Sequence, residues 1–467
     1  MEFKARKITI DPSDPYRDDT LSRKENIDNM SLLLRNISTP IVLSVNAPWG
    51  QGKTTFLEML HADLMNNHCN SIYFSAWETD FASDPLLAFL GEMSQGLNTL
   101  INGDDKKNEA WEKAKKAGVH ILKKGIPALI KIGTAGIIDV DKSLEDEASK
   151  LMEGISKDII TEYSRNKDEI IRFKDSIAKL LCNEDGTKTK LFIIIDELDR
   201  CRPTYAIEFL ERIKHLLDIE GLVFVLALDK QQLSHSVKGI YGADFDALGY
   251  LRRFIDIEYS LPECDIGKFI DQLYQTFGFD DFFERRTKYP ALRYEVEHLK
   301  NVFKMFASAL KLSLREMEQI FSKMNLVIHS TNETSYLYPA LLAYLLVVKE
   351  SNRTIYLDYV RKESTPEKII EYLYELIPRS TRNESFECAL IEGFLIAAKN
   401  SAYNSTLGLA LDKHNECLAD EQSDDKQRQY SHRIIEIVKK PTESFGYGVN
   451  LSNLVSRIEM SESFKFA

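Results

Sequence analysis

The first half of the chain alternates short apolar runs with helical spacing, and the second half shows helical spacing almost throughout. Ile41-Val42-Leu43-Ser44-Val45 is a β-branched run that predicts a strand. Strand-like runs recur at Ser71 to Ala76, 190–196, Leu222 to Leu228 and Ile255 to Ser260. A helical pattern at about Leu21 to Asn36 precedes the first strand, and further ones lie between the strands, from Phe56, at Pro85 to Leu100, from about Thr204 and up to Phe254. Pro203 is a start signal for the helix from about Thr204. Leu191-Phe192-Ile193-Ile194-Ile195 has no polar interruption, the pattern of a strand buried on both faces of a parallel sheet. Alternation of this kind predicts an α/β fold, a parallel sheet with helices on both sides.

Two segments depart from that rhythm. Residues 102–188 are charged and helical without a strand-like run, which reads as an insertion into the α/β domain. Beyond Pro262 the pattern is all-helical, with a break near 326–336 and a charged surface loop at Asp420 to Gln429. The expected organisation is a core over 1–262 that contains the insertion, a helical continuation over 263–330, and a helical region over 331–467 whose role the sequence does not reveal.

The first strand runs into Asn46-Ala47-Pro48-Trp49-Gly50-Gln51-Gly52-Lys53-Thr54-Thr55, and a helix follows. Strand, glycine-rich turn and helix with Gly-Lys-Thr at the junction form a phosphate-binding P-loop. The strict motif has glycine where this chain has Ala47. Gly50 and Gly52 let the backbone curl close to phosphates, and the helix end beneath supplies amides and positive potential. Pro48 through Thr55 are therefore the candidate nucleotide contacts. Lys53 is expected to reach the β- and γ-phosphates and Thr54 to ligate Mg²⁺. The apolar run 191–195 ends in Asp196-Glu197, at the strand end where such sheets bind ligands. Asp196 is expected in the Mg²⁺ shell, and Glu197 to orient and polarise the attacking water. No Asn-Lys-x-Asp guanine-reading motif occurs, which favours ATP over GTP.

The chain has 467 residues and a net charge of −12, so it lacks the broad cationic surface that non-specific duplex binding requires. Six scattered cysteines without a CxxC read as reduced thiols in a cytosolic protein. The polar N-terminus gives no secretory signal. The nearest approach to a membrane span, Ala117 to Val140, is interrupted by His120, Lys123, Lys124 and Lys131. Each central lysine costs about 2.5–3.5 kcal/mol on insertion scales. A basic amphipathic helix at Lys113 to Lys131 reads either as a surface-lying element on an anionic membrane or as one packed on protein.

Six segments together resemble the KAP family of P-loop NTPases: NAPWGQGKTT at 46–55, FSAWETD at 74–80, IIIDELDRCRP at 193–203, VFVLALD at 223–229, YLRRFIDIEYSLP at 250–262 and LSLREMEQI at 312–320. The resemblance implies an additional-strand NTPase core that hydrolyses ATP with Mg²⁺ and works as a switch or assembly-driven machine. It also implies assembly as a homo-oligomer or with other proteins, and, through bacterial relatives, a link to phage exclusion. Family members commonly carry membrane-spanning helices between the two phosphate motifs, where this chain has its polar insertion. Asp229, ending the fourth strand, reads equally as a sensor of the γ-phosphate or as a helix N-cap. Arg252 and Arg253 read as fingers acting in trans or as ordinary ion-pair partners. Arg315 is implied as a helical-domain sensor, with a surface ion pair as the alternative. Asp199 is expected to support the metal or hold Arg200, Cys201 to be a buried apolar residue, Trp77 to lie in the core, and Glu78 to sit at the catalytic edge behind Glu197. Two other activities fit the same loop: a non-hydrolysing nucleotide-binding scaffold and a P-loop phosphotransferase.

Overall fold

A computed structural model describes residues 9–82, 84–101, 103–123, 168–214, 218–361, 366–400, 407–439 and 451–462. The chain divides into two compact units, Ile8–Glu263 and one built on Cys264–Ala467.

The first unit is a five-stranded parallel sheet between two helical layers. Its strands are β1 (Ile41–Asn46), β2 (Asn70–Ser75), β3 (Leu191–Asp196), β4 (Leu222–Leu228) and β5 (Ile257–Ser260), in the order β2-β3-β4-β1-β5. β4 therefore lies between the phosphate-loop strand and the acidic strand, with Val45 opposite Ala227 and Ile195 opposite Leu226. This is the additional-strand arrangement of P-loop NTPases, set in an α/β fold with a helical second unit. The expected fifth strand begins at Ile257 rather than Ile255: the Asp256 amide still donates to the Val42 carbonyl at 3.0 Å, but its carboxylate, in place of a strand carbonyl, accepts from the Val42 amide at 2.8 Å.

Side-chain alternation assigns the layers. Ile41, Leu43, Val45, Phe192, Ile194, Val223 and Val225 face α1 (Lys24–Asn36) and α2 (Lys53–Asn66). Val42, Ile72, Phe74, Ile193, Ile195, Phe224 and Leu226 face the other way, onto the core that includes α3 (Pro85–Gly96), α5 (Asp105–Lys123), α7 (Pro203–Ile213) and α8 (Lys230–Tyr241). α4 (Asn98–Ile101) and α6 (168–180) complete this layer, and α9 (Ala247–Leu251) leads to β5. Every residue of β3 and β4 is buried, as strands covered on both faces require.

The described part of the insertion packs on the sheet. Ala110, Trp111, Ala114 and Ala117 of α5 and Phe173, Ile177 and Leu180 of α6 belong to the sheet core. The apolar side of α5 is thus occupied by protein up to Ala117. The expected helix continues to Lys131, and its part from 124 on lies outside the described residues. Among the described residues no helix is long and apolar enough to cross a membrane.

The second unit is helical. Helix Leu314–His329 runs through the expected break, which falls instead at 330–338, because Val327 and Ile328 are fully buried and hold the helix together. Helix Pro339–Ser351 is buried along almost its whole length and is packed by Glu295–Ala309, Leu314–His329 and Phe386–Asn400. The expected charged loop at 420–429 is a loop only to Asp424. Asp425 opens a helix, since Asp424 caps the Gln427 amide at 2.7 Å.

Candidate nucleotide-binding site

The loop between β1 and α2 is built for close approach of an anion. Gly50 and Gly52 have φ of 78° and 79°, a region that disfavours any side chain. Ala47 is not among the positive-φ residues, which is why alanine serves where the strict motif has glycine. Gly52 caps α2 with no side-chain hydrogen bond, and no acid stands in the helix's first turn. The amides of that turn thus keep their donors and the positive end of the helix is not neutralised locally. Pro48 and Trp49 form the exposed crest, and Gln51, Thr54 and Thr55 are half-buried.

Lys53 is buried, its Nζ donating to the carbonyls of Ala47 at 2.5 Å and Pro48 at 3.2 Å. Burial lowers its pKa, while the carboxylates of Asp199, Asp229 and Asp196 act in the opposite sense. The structure therefore gathers the loop lysine and the ends of β3 and β4 into one electrostatic neighbourhood.

Asp196 is nearly fully buried, and this raises its pKa. Three donors oppose the shift: the Thr54 hydroxyl, the Glu197 amide at 2.7 Å and the Tyr73 hydroxyl at 3.1 Å. The hydroxyl and carboxylate of Thr54 and Asp196 thus meet, a hard-oxygen pair suited to a divalent cation. Glu197 follows in the left-handed region at φ 61°, a conformation that costs a non-glycine residue about 1–3 kcal/mol and concentrates at functional sites. Its carboxylate accepts from Ser75 Oγ at 2.6 Å and pairs with Arg200. Arg200 is thus held by Glu197 and not, as expected, by Asp199. Asp199 instead accepts from the Trp49 indole and the Asp229 amide.

The remaining candidates fall as follows. Asp229 is the N-cap of α8, its Oδ1 accepting from the Gln231 and Gln232 amides at 3.0 and 3.1 Å, and it stays within electrostatic reach of Lys53. Arg252 and Arg253 are exposed just past α9, with no ion pair among the described residues. Arg315 lies exposed in the first turn of helix Leu314–His329 in the second unit, near Glu318. Cys201 is buried, and burial raises its thiol pKa. Trp77 is not core but 54% exposed. Ala76 and Thr79 take the inward positions of its turn, Thr79 meeting the Tyr205 hydroxyl at 3.0 Å, while Arg202 grips Asp80 at 2.8 Å. The indole is left facing out, with Glu78 also exposed.

Tyr73 and Ser75 reach the two acidic residues without having been singled out in the sequence, and Arg200, expected on Asp199, is found on Glu197. Register brings the two β2 residues there: β2 pairs with β3, Ser75 opposite Asp196, so a polar residue ending β2 adjoins the acidic tip.

Sheet order and loop geometry define a P-loop nucleotide-binding domain. The chain belongs to the KAP family of P-loop domains, whose model matches residues 23–330. It is similar to the phage T7 exclusion protein of Escherichia coli strain K12, 19% identical over 365 residues. That match covers 74% of this chain and 46% of the relative, so the chain spans under half of that protein's length. Among solved structures it is similar to the Aeropyrum pernix ORC2 protein in ADPNP-ADP complexes, at 10% identity, 95% and 94% coverage and a TM-score of 0.29. AMPPCP-bound DnaA from Aquifex aeolicus matches at 12% identity, 94% and 91% coverage and a TM-score of 0.26.

Proposed function

We propose that the chain binds ATP with Mg²⁺ at the β1–α2 loop and hydrolyses it, using the cycle as a switch or to drive assembly. The observation that carries this reading is the convergence of Lys53, Thr54, Asp196 and Glu197 at an uncapped helix N-terminus. The amides of residues 50–55 and Lys53 bind the phosphates, and Pro48, Trp49 and Gln51 shape the loop crest. Thr54 and Asp196 hold the cation, which when bound neutralises phosphate charge. Glu197 orients the water and accepts its proton, with Ser75 and Arg200 fixing the carboxylate. Asp229 acts through the field it lends to Lys53. Arg252 and Arg253, exposed and without an ion pair among the described residues, Arg252 within electrostatic reach of Glu258, are the residues offered to a neighbouring subunit of a homo-oligomer or hetero-complex. Arg315 is the candidate phosphate sensor of the helical unit.

The division into an NTPase core to 262, a helical continuation to 330 and a separate C-terminal region is part of this proposal, as is a cytoplasmic location. By analogy with the named function of the Escherichia coli relative, we assign the protein to anti-phage defence. The test is calorimetry and phosphate release with ATP and Mg²⁺. Lys53→Ala is expected to weaken ATP binding at least tenfold. Glu197→Gln is expected to retain bound ATP while lowering turnover by 10²-fold or more, the roughly 10²–10⁴ that a positioned base contributes. Wild-type turnover in both variants overturns the assignment. Tight ATP binding without any phosphate release points instead to the scaffold reading. Plating efficiency of phage on cells expressing the wild type and Lys53→Ala tests the defence role.

A further inference from the structure

Trp49 stands at the exposed crest of the phosphate loop, 45% exposed, and its indole Nε1 donates to Asp199 Oδ2 at 2.6 Å. Among the described residues this is its only hydrogen bond or ring contact. Water would satisfy an exposed indole N–H equally well, so the bond is not needed to compensate burial. Its consequence is geometric. Asp199 is 6% exposed and sits in the 3-10 turn Leu198–Arg200 that follows the acidic strand. The same oxygen accepts the Asp229 amide at 2.9 Å, at the end of β4. One buried carboxylate oxygen therefore ties the loop crest to the tip of the strand beside it, across 150 residues of sequence in one direction and 30 in the other. Asp199 is also the foremost of the carboxylates attracting Lys53.

We propose that Asp199 is a positioning residue of the phosphate site: it fixes the crest of the loop, through the Trp49 indole, to the end of β4. The inference rests on the reading of this loop as a nucleotide site. An asparagine keeps an oxygen acceptor for both donors and removes the charge, whereas alanine removes both. Displacing a catalytic loop by about 1 Å costs up to 10²-fold in rate.

The test compares Asp199→Asn, Asp199→Ala, Trp49→Phe and the Asp199→Ala/Trp49→Phe double variant, each first checked for native far-ultraviolet dichroism. Two readouts are taken. The first is the emission contributed by Trp49 in nucleotide-free protein, obtained by subtracting the Trp49→Phe spectrum, together with its quenching by acrylamide. The second is kcat and KM for ATP. In Asp199→Ala, Trp49 emission is expected to shift to the red and quenching to rise, with kcat down tenfold or more and KM changed less than threefold. Asp199→Asn is expected to restore both. Trp49→Phe is expected to lower kcat similarly, and the double variant no further. Unchanged Trp49 emission in Asp199→Ala overturns the proposal. So does a red shift without a change in kcat, or losses that multiply in the double variant. If the wild type releases no phosphate, the hydrolytic reading fails by itself, and Asp199 is then judged by emission and by calorimetric ATP affinity, either of which overturns it if unmoved.

Discussion

Replacing Arg286 with methionine should unfold the helical unit more readily than any surface change in it. Arg286 is fully buried, and so is its partner Glu295, whose Oε2 lies 2.8 Å from Nε and 2.7 Å from Nη2. The guanidinium spends its remaining donors on three carbonyls: Asn332 at 3.0 Å, Glu333 at 2.8 Å and Ser335 at 2.6 Å. Glu295 Oε1 accepts the Leu337 amide at 2.7 Å. The pair thus holds the backbone of the 330–338 break, which has no secondary structure to satisfy it. Removing the arginine leaves a carboxylate in the core with one donor, and breaking a buried pair costs about 3–5 kcal/mol. The carbonyls of Asn332 and Glu333 can recover water at this exposed segment and add little. Glu295→Gln removes the charge and keeps one acceptor oxygen for two donors, so Arg286 loses its counter-charge and either it or the Leu337 amide loses its acceptor; its cost should also be about 3–5 kcal/mol. Urea unfolding followed by circular dichroism measures both. A loss under about 1 kcal/mol in either variant would refute the reasoning from these contacts.

Tyr73→Phe removes one donor from Asp196 and is expected to weaken Mg²⁺ support of ATP turnover by about tenfold, the lower range for residues that orient a metal ligand, as read by Mg²⁺ titration at fixed ATP. Trp111→Ser in the sheet core should cost about 3–5 kcal/mol, whereas Trp77→Ser on the surface should stay within ~0.5 kcal/mol; melting temperatures distinguish them. The pH dependence of the helical unit should include Glu387. The His298 imidazole beside it, with Asn301 at 3.0 Å, holds its pKa down from 4.5 to about 2. A depressed carboxylate pKa stabilises the fold above the unfolded value and loses that contribution as pH falls from about 4.5 toward 2. Glu387→Gln should flatten that part of an acid-unfolding curve.

Local chemistry was enough to read the strands, the phosphate loop and the acidic strand end. Five unbroken apolar residues can only be buried, Gly50 and Gly52 ahead of Lys53-Thr54 can only turn tightly, and carboxylates after such a run can only lie at its tip. The helical character of the second unit followed from spacing alone. Residue type misled where either side of an element was open to it. Trp77 is apolar enough for a core, yet Ala76 and Thr79 take the inward places of its turn. Partner choice was decided by the tertiary structure. That Glu197 meets Ser75, that Asp199 meets Trp49 and not Arg200, and that Arg286 closes a loop 46 to 49 residues away all depend on which strands lie side by side and which helices pack. Periodicity specifies which face of an element is buried; it carries no information on what is buried against it, because hydrogen bonds between distant segments are set by sheet order and packing.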